Sequence, residues 1–314
     1  MKRFSLIILA LLIGFLFTEF LLAVVVLFPR YGVEYKVRYR NGGGTWTNIR
    51  KPYSATFNVE GWERVRYNNY GLPGTDLDYL DNLVVVLGSS FVEALQYQGD
   101  KIATATFQRE LRESGSARQV LNLGCSGHDP YDSWFRLRYY ESKLDFNTED
   151  VILVLNSDNR AWFARHQSPL TFDKPSWFGT VNNNLQNKLQ TLLRNNSSFI
   201  ELIARGIKSD TGEDIEPKET NGTQSNEEHE ITDELASCLT SFRDEYAGFK
   251  VLSILSDSAF NTKLADFCNM NEIELSIRPL TIPENMINGA GHLNLKGNEE
   301  LGEAMFTLHA SKAF

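Results

Sequence analysis

Leu83 to Glu93 reads LVVVLGSSFVE: an unbroken apolar run stops at Gly88-Ser89-Ser90, and Phe91, Val92, Ala94 and Leu95 then recur at helical spacing. A strand, a tight turn and a helix start are expected here. The residue type that could do chemistry is the serine. Set at the end of a buried strand and beside the free N–H groups of a helix N-terminus, a hydroxyl sits where developing negative charge is stabilised. The competing expectation is that Ser89 or Ser90 caps the helix. Two further polar loops follow apolar runs, Asn122-Leu123-Gly124-Cys125-Ser126-Gly127-His128-Asp129 and Asn156-Ser157-Asp158-Asn159-Arg160. Near the C-terminus, Gly289-Ala290-Gly291-His292-Leu293-Asn294 carries the histidine with the best context for reaching the serine. A serine, a glycine N–H, a side-chain amide or acid and an imidazole would suffice for nucleophilic acyl chemistry.

These residues need a scaffold that brings them together. Apolar runs at Leu83–Leu87, Val120–Leu123, Val151–Leu155, Val251–Leu255 and Ile273–Ile277 predict strands. Helical patterns at 102–113, 131–144, 182–206, 232–246, 259–270 and 296–310 separate them. Alternation of this kind predicts an α/β doubly wound parallel sheet of about five strands. In such a sheet, ligands bind at the C-terminal ends of the strands, where the three polar loops lie. Upstream, residues 31–75 read as a small β-rich connecting element. Tyr35–Arg40 alternates, residues 41–44 form a turn, and Tyr53–Tyr67 is rich in aromatic and β-branched residues.

The N-terminus carries a different signal. Leu6 to Phe28 is apolar apart from Gly14, Thr18 and Glu19, long enough as a helix to cross a hydrocarbon core of roughly 30 Å. Residues 1–30 are therefore expected to form an uncleaved, single-pass anchor. Glu19 would be either a tolerated polar residue or one that faces a partner helix. Lys2 and Arg3 precede the run, and Arg30, Lys36, Arg38 and Arg40 follow it. Charge asymmetry is thus small, and residues 76–314 are expected outside the cytoplasm because long domains translocate with little regard to charge.

Net charge is −9, but residues 208–230 alone hold a net −6 and almost no apolar side chain, as expected of a disordered insertion. No basic patch interleaved with aromatics stands out, which argues against a nucleic-acid partner. Cys238 and Cys268 fall in helices flanking one strand and could pair, leaving Cys125 over. Trp162 and Phe163 could wall an apolar pocket, and His128 and His166 read as surface residues. No Cys/His/Asp cluster has metal-ligand spacing, so neither a metal nor a cofactor is expected.

In this order, GSS at 88–90, NLGCSG at 122–127, NSDN at 156–159 and GHLNLKGN at 291–298 resemble the blocks of the SGNH (GDSL-like) hydrolase family. The resemblance spans roughly residues 66–310. It implies a flavodoxin-like sheet and hydrolysis or transfer of acyl esters, with a glycan, lipid or small-molecule ester of the cell envelope as substrate. Ser90 would be the nucleophile and His292 its base, with the N–H groups of Ser90 and Gly127 forming an oxyanion hole. Ser89 stands where the family has Asp, and ungapped alignment puts Asp158 at the family's oxyanion asparagine, so Asn156 or Asn159 would supply that amide. Gly289 and Ala290 occupy the positions of the triad acid. A Ser-His dyad, or a distant acid such as Asp158, Asp129 or Glu93, is then expected. The alternative is a catalytically silent binding or assembly protein that keeps the fold.

Overall fold

The computed structural model describes residues 2–22, 33–38, 46–58, 60, 63–156, 179–180, 192–194, 196–197, 199–200, 203, 231–287 and 291–311. Its centre is a five-stranded sheet of β5 (Leu83–Leu87), β6 (Gln119–Asn122), β7 (Asp150–Leu155), β9 (Gly248–Ser253) and β10 (Glu274–Ile277). All neighbours pair in parallel, in the spatial order β6-β5-β7-β9-β10. Counted from β5, this is the 2-1-3-4-5 order of flavodoxin-like sheets, whose ligand crevice lies where the order reverses, between the first and third strands. Here that point falls between the C-terminal ends of β5 and β7.

Every residue of β5 is buried, as expected of a central strand covered on both faces. Alternation along the strands divides the core. Val84, Val86, Ile152 and Val154 pack with Phe107 of α3 (Ala103–Glu113) and Met305 of α7 (Leu295–Ala310). Val85, Leu87, Leu153 and Val251 pack on the opposite face with Trp134 of α4 (Pro130–Leu144), Phe242 of α5 (Asp233–Glu245) and Phe260 of α6 (Ser258–Met270). Burying each such side chain stabilises the fold by about 1.5–3 kcal/mol, so both sheet faces help hold the β5 turn in place.

The connecting element holds two separate antiparallel pairs of strands. Strand β1 (Val33–Arg38) pairs antiparallel with β2 (Trp46–Arg50), and β8 (Gly179–Thr180) adds to its other side. Strands β3 (Ala55–Asn58) and β4 (Glu63–Arg66) form a separate antiparallel pair. The break comes at Pro52, which has no N–H to give a ladder, and at Tyr53, whose φ of 56° is left-handed. Glu63 of the second hairpin makes two contacts with the sheet domain. Lys101 Nζ lies 2.6 Å from Glu63 Oε1, and the Gln98 N–H donates to Glu63 Oε2 at 2.9 Å.

Helix α1 (Lys2–Phe20) leaves apolar side chains such as Phe4, Leu6 and Phe17 exposed. Among the described residues, no helix is long and apolar enough to cross a membrane; Ala23 to Phe28 of the expected span lie outside them. Glu19 is engaged: its Oε2 accepts from the Ser197 hydroxyl at 2.8 Å and from the Phe199 N–H at 3.0 Å. The acidic stretch 208–230, Trp162, Phe163 and His166 also lie outside the described residues, as does most of 182–206. Cys238 and Cys268 do not pair; both are buried free thiols, and burial pushes the Cys268 thiol up to about 12.

Candidate active site

The turn after β5 is built by Gly88. A Cβ there would sit 2.6 Å from Val92 Cγ2 and 3.1 Å from the Val154 carbonyl oxygen, and its φ of +155° disfavours any side chain. Only glycine lets β5 end this tightly against β7. Ser89 occupies the N-cap position of the one-turn helix α2 (Ser90–Glu93) yet makes no capping bond. Its hydroxyl instead donates to Asn156 Oδ1 at 2.8 Å, joining the ends of β5 and β7 at the topological switch point. Ser90, the first residue of α2, is therefore not the cap; it lies 8% exposed at the start of the turn. Bonding Ser89 through Oδ1 leaves the Asn156 amide N–H groups as donors.

The loop after β6 is fastened to the same turn. Asn122 donates to the Val92 carbonyl at 2.8 Å and accepts from the Gly124 N–H at 2.9 Å. The Cys125 N–H reaches the Gly88 carbonyl at 3.0 Å. Glu93 Oε2 accepts from both the Ser126 N–H at 2.7 Å and the Ser126 hydroxyl at 2.5 Å. This brings Gly127, at φ +80°, beside α2. Among the described residues, neither the Ser90 nor the Gly127 N–H is taken up by a carbonyl in a turn or cap. Next along the loop, Asp129 is the N-cap of α4, its carboxylate accepting from the Asp132 N–H at 2.7 Å, and it is 2% exposed. That capping role is what the Asp-Pro junction before a helix encodes. His128 is buried rather than on the surface, and desolvation lowers its pKa. Gly88, Ser89, His128, Ser133 and Asn156 line a cavity of about 10 Å³, room for a water and not for an acyl group.

His292 arrives from the other side. Met286 and Leu293 form an antiparallel bridge at the stem of its loop, and the Ile287 N–H donates to the His292 carbonyl at 2.8 Å. Buried Leu293 anchors the stem in the core, while Asn294 caps α7 by accepting from the Gly297 N–H at 2.9 Å. Asn298, one turn into α7, accepts from the Ala103 N–H at 3.3 Å and so ties this loop to the start of α3. The His292 ring lies 6.0 Å, centroid to centroid, from that of Phe91, the neighbour of Ser90. Its Nδ1 is closed off from solvent without an aligned hydrogen bond, and Glu60 Oε2 stands 2.9 Å away.

The structure thus joins Asn156 to the β5 turn through Ser89, ties Ser126, the neighbour of Gly127, to α2 through Glu93, and sets the His292 ring 6.0 Å from that of Phe91. One carboxylate oxygen of Asp129 caps α4, and Asp158 and Asn159 lie outside the described residues. Glu60 escaped the sequence reading because nothing marks it: it lies on the connecting hairpin, far from His292 in the chain. Among the described residues, no group of three or more His, Cys, Asp or Glu side chains is arranged to hold a metal ion.

No family model and no curated protein matches this chain. Among solved structures it is similar to TesA, at 15% identity and a TM-score of 0.41, covering 73% of this chain and 98% of that one. It is also similar to the psychrotrophic esterase EstA from Pseudoalteromonas sp., at 12% identity and a TM-score of 0.41, covering 72% and 96%. A lipolytic protein of the G-D-S-L family from Desulfitobacterium hafniense is similar at 10% identity and a TM-score of 0.35, covering 73% and 99%. Likenesses this distant do not bear on substrate or mechanism.

Proposed function

We propose that the protein is a serine ester hydrolase or acyltransferase of SGNH type, with Ser90 as nucleophile and His292 as general base. The observation that carries this reading is the turn itself. Ser89 takes the N-cap position and spends its hydroxyl on Asn156, which leaves the Ser90 hydroxyl for chemistry at the switch point of the sheet. His292 removes the Ser90 proton as Oγ attacks the ester carbonyl. The oxygen that gains charge meets the Ser90 and Gly127 N–H groups and the Asn156 amide, and His292 then returns the proton to the departing alcohol. Water or a second hydroxyl resolves the acyl-enzyme. Losing one such donor costs roughly 3 kcal/mol of transition-state stabilisation. The test is hydrolysis of p-nitrophenyl acetate and longer acyl esters by the full chain: turnover lost in both Ser90→Ala and His292→Ala supports the reading, and equal turnover by Ser90→Ala rejects it.

The substrate we propose is a carbohydrate or lipid ester of the cell envelope, reached by a domain held outside the cytoplasm on an N-terminal anchor. The support is the apolar run Leu6–Phe28 and the exposed apolar side chains of α1. Carbonate-resistant membrane partitioning that disappears when residues 1–30 are deleted would establish the anchor, and partitioning unchanged by the deletion would exclude it.

A further inference from the structure

We propose that Glu60, carried between strands β3 and β4, is the acid that positions His292, so that the connecting hairpin completes the active site. This rests on the Ser90–His292 reading above. Glu60 Oε2 lies 2.9 Å from His292 Nδ1, a nitrogen closed off from water. A carboxylate facing Nδ1 favours the tautomer with its proton there, which leaves Nε2 unprotonated to receive the proton of Ser90. As Oγ bonds to the carbonyl carbon and its proton passes to Nε2, the ring becomes positively charged. Glu60 stays ionised and stabilises that charge, and the proton leaves again with the alcohol.

The carboxylate is held as such a role requires. Asn58 Oδ1 accepts from the Glu60 N–H at 2.8 Å, closing a local turn. Gln96, 5% exposed and three residues beyond α2, donates from Nε2 to the same Glu60 oxygen at 3.1 Å. The Glu63 contacts with Lys101 and Gln98 fix the hairpin a few residues on. Gln96, Gln98 and Lys101 all lie in the segment joining α2 to α3, so the piece of chain that follows Ser90 also seats the acid. Gly289 and Ala290 beside His292 carry no carboxyl group, and Asp129 accepts from the first turn of α4. A chain that lacks the acid next to its histidine would thus have recruited one from an upstream element.

The test compares wild type, Ser90→Ala, Glu60→Gln, Glu60→Asp and Glu60→Ala as full chains, following the rate of fluorophosphonate labelling and the thermal midpoint. Glu60→Gln and Glu60→Ala are expected to label about 10²–10⁴-fold more slowly at an unchanged midpoint, by analogy with loss of the acid in Ser-His-Asp triads. Glu60→Asp should retain part of the rate, and added formate should restore labelling of Glu60→Ala. A purely structural residue would show neither effect. Labelling of Glu60→Ala at the wild-type rate, or a slow rate that neither formate nor Asp relieves, overturns the proposal and leaves the Ser90–His292 reading standing. Wild type that does not label, or labels equally in Ser90→Ala, overturns both.

Discussion

Replacing Gly88 with alanine tests whether the turn after β5 is built as described. A side chain at φ +155° lies in a region that only glycine enters readily, which costs roughly 1–3 kcal/mol. The added Cβ would also stand 2.6 Å from Val92 Cγ2 and 3.1 Å from the Val154 carbonyl oxygen. Val92 and Val154 are 0% and 2% exposed, packed between α3, α7 and the sheet, so neither can yield cheaply. Overpacking of this kind costs roughly 1–3 kcal/mol. The unfolded chain loses entropy on Gly→Ala, which returns about 0.4–1 kcal/mol, so the net destabilisation is about 1–6 kcal/mol. Urea unfolding measures it directly, as a lower midpoint at unchanged slope. Gly115→Ala is the control. Its φ is +81° but no atom lies within 4 Å of the added Cβ, so about 1 kcal/mol of conformational cost is expected alone. If Gly88→Ala costs no more than Gly115→Ala, the close approach of β5, α2 and β7 is wrong.

Glu93→Ala should free the loop that carries Gly127. Two charge-assisted bonds to Ser126 are lost at a solvent-exposed site, about 2 kcal/mol of loop docking, and ester turnover should fall by up to about 10²-fold, the worth of one oxyanion donor, with global stability nearly unchanged. Glu93→Gln keeps one acceptor and should fall less. A pH effect is expected from His309, whose pKa is pushed from 6.5 down to about 4 by burial, helped by Arg118 and Lys250. The unfolded chain takes up that proton near pH 6.5 and the folded chain only near pH 4, so the stabilisation is complete above the first value and is lost as pH falls between the two. Because His309 is partly exposed, about 1–2 kcal/mol should be lost across that window, and His309→Gln should lose that much less between pH 7 and 4 in paired urea titrations.

The elements that position the serine were legible because they obey short-range rules. The all-apolar β5 reads as a central strand, and the strands that follow it fall within a few residues of their expected places. The C-terminal ends of β5, β6 and β7 lie together because a parallel doubly wound sheet brings strand ends to one edge, which follows from the alternation of elements. Long-range choices were not legible. That Ser89 stands at the N-cap position yet makes no capping bond depends on Asn156 lying across the switch point, and only the folded sheet brings the two together. The role of Asp129 was encoded locally, as the residue before Pro130 at the start of a helix. Glu60 leaves no sequence signal, because its pairing with His292 depends on how a hairpin docks. The two-hairpin form of the connecting element turned on a single break at Pro52-Tyr53 inside a segment of continuous β propensity.

The most direct measurement of the central claim is the site of covalent modification. The full chain would be treated with a fluorophosphonate, and the adduct located by peptide mass spectrometry in wild type, Ser90→Ala and His292→Ala. The expected result is one adduct per chain, on Ser90, absent from Ser90→Ala and reduced at least about 10³-fold in rate in His292→Ala, as when the base of a triad is removed. A folded wild type that stays unmodified, or an adduct on another residue that persists in Ser90→Ala, would contradict the account.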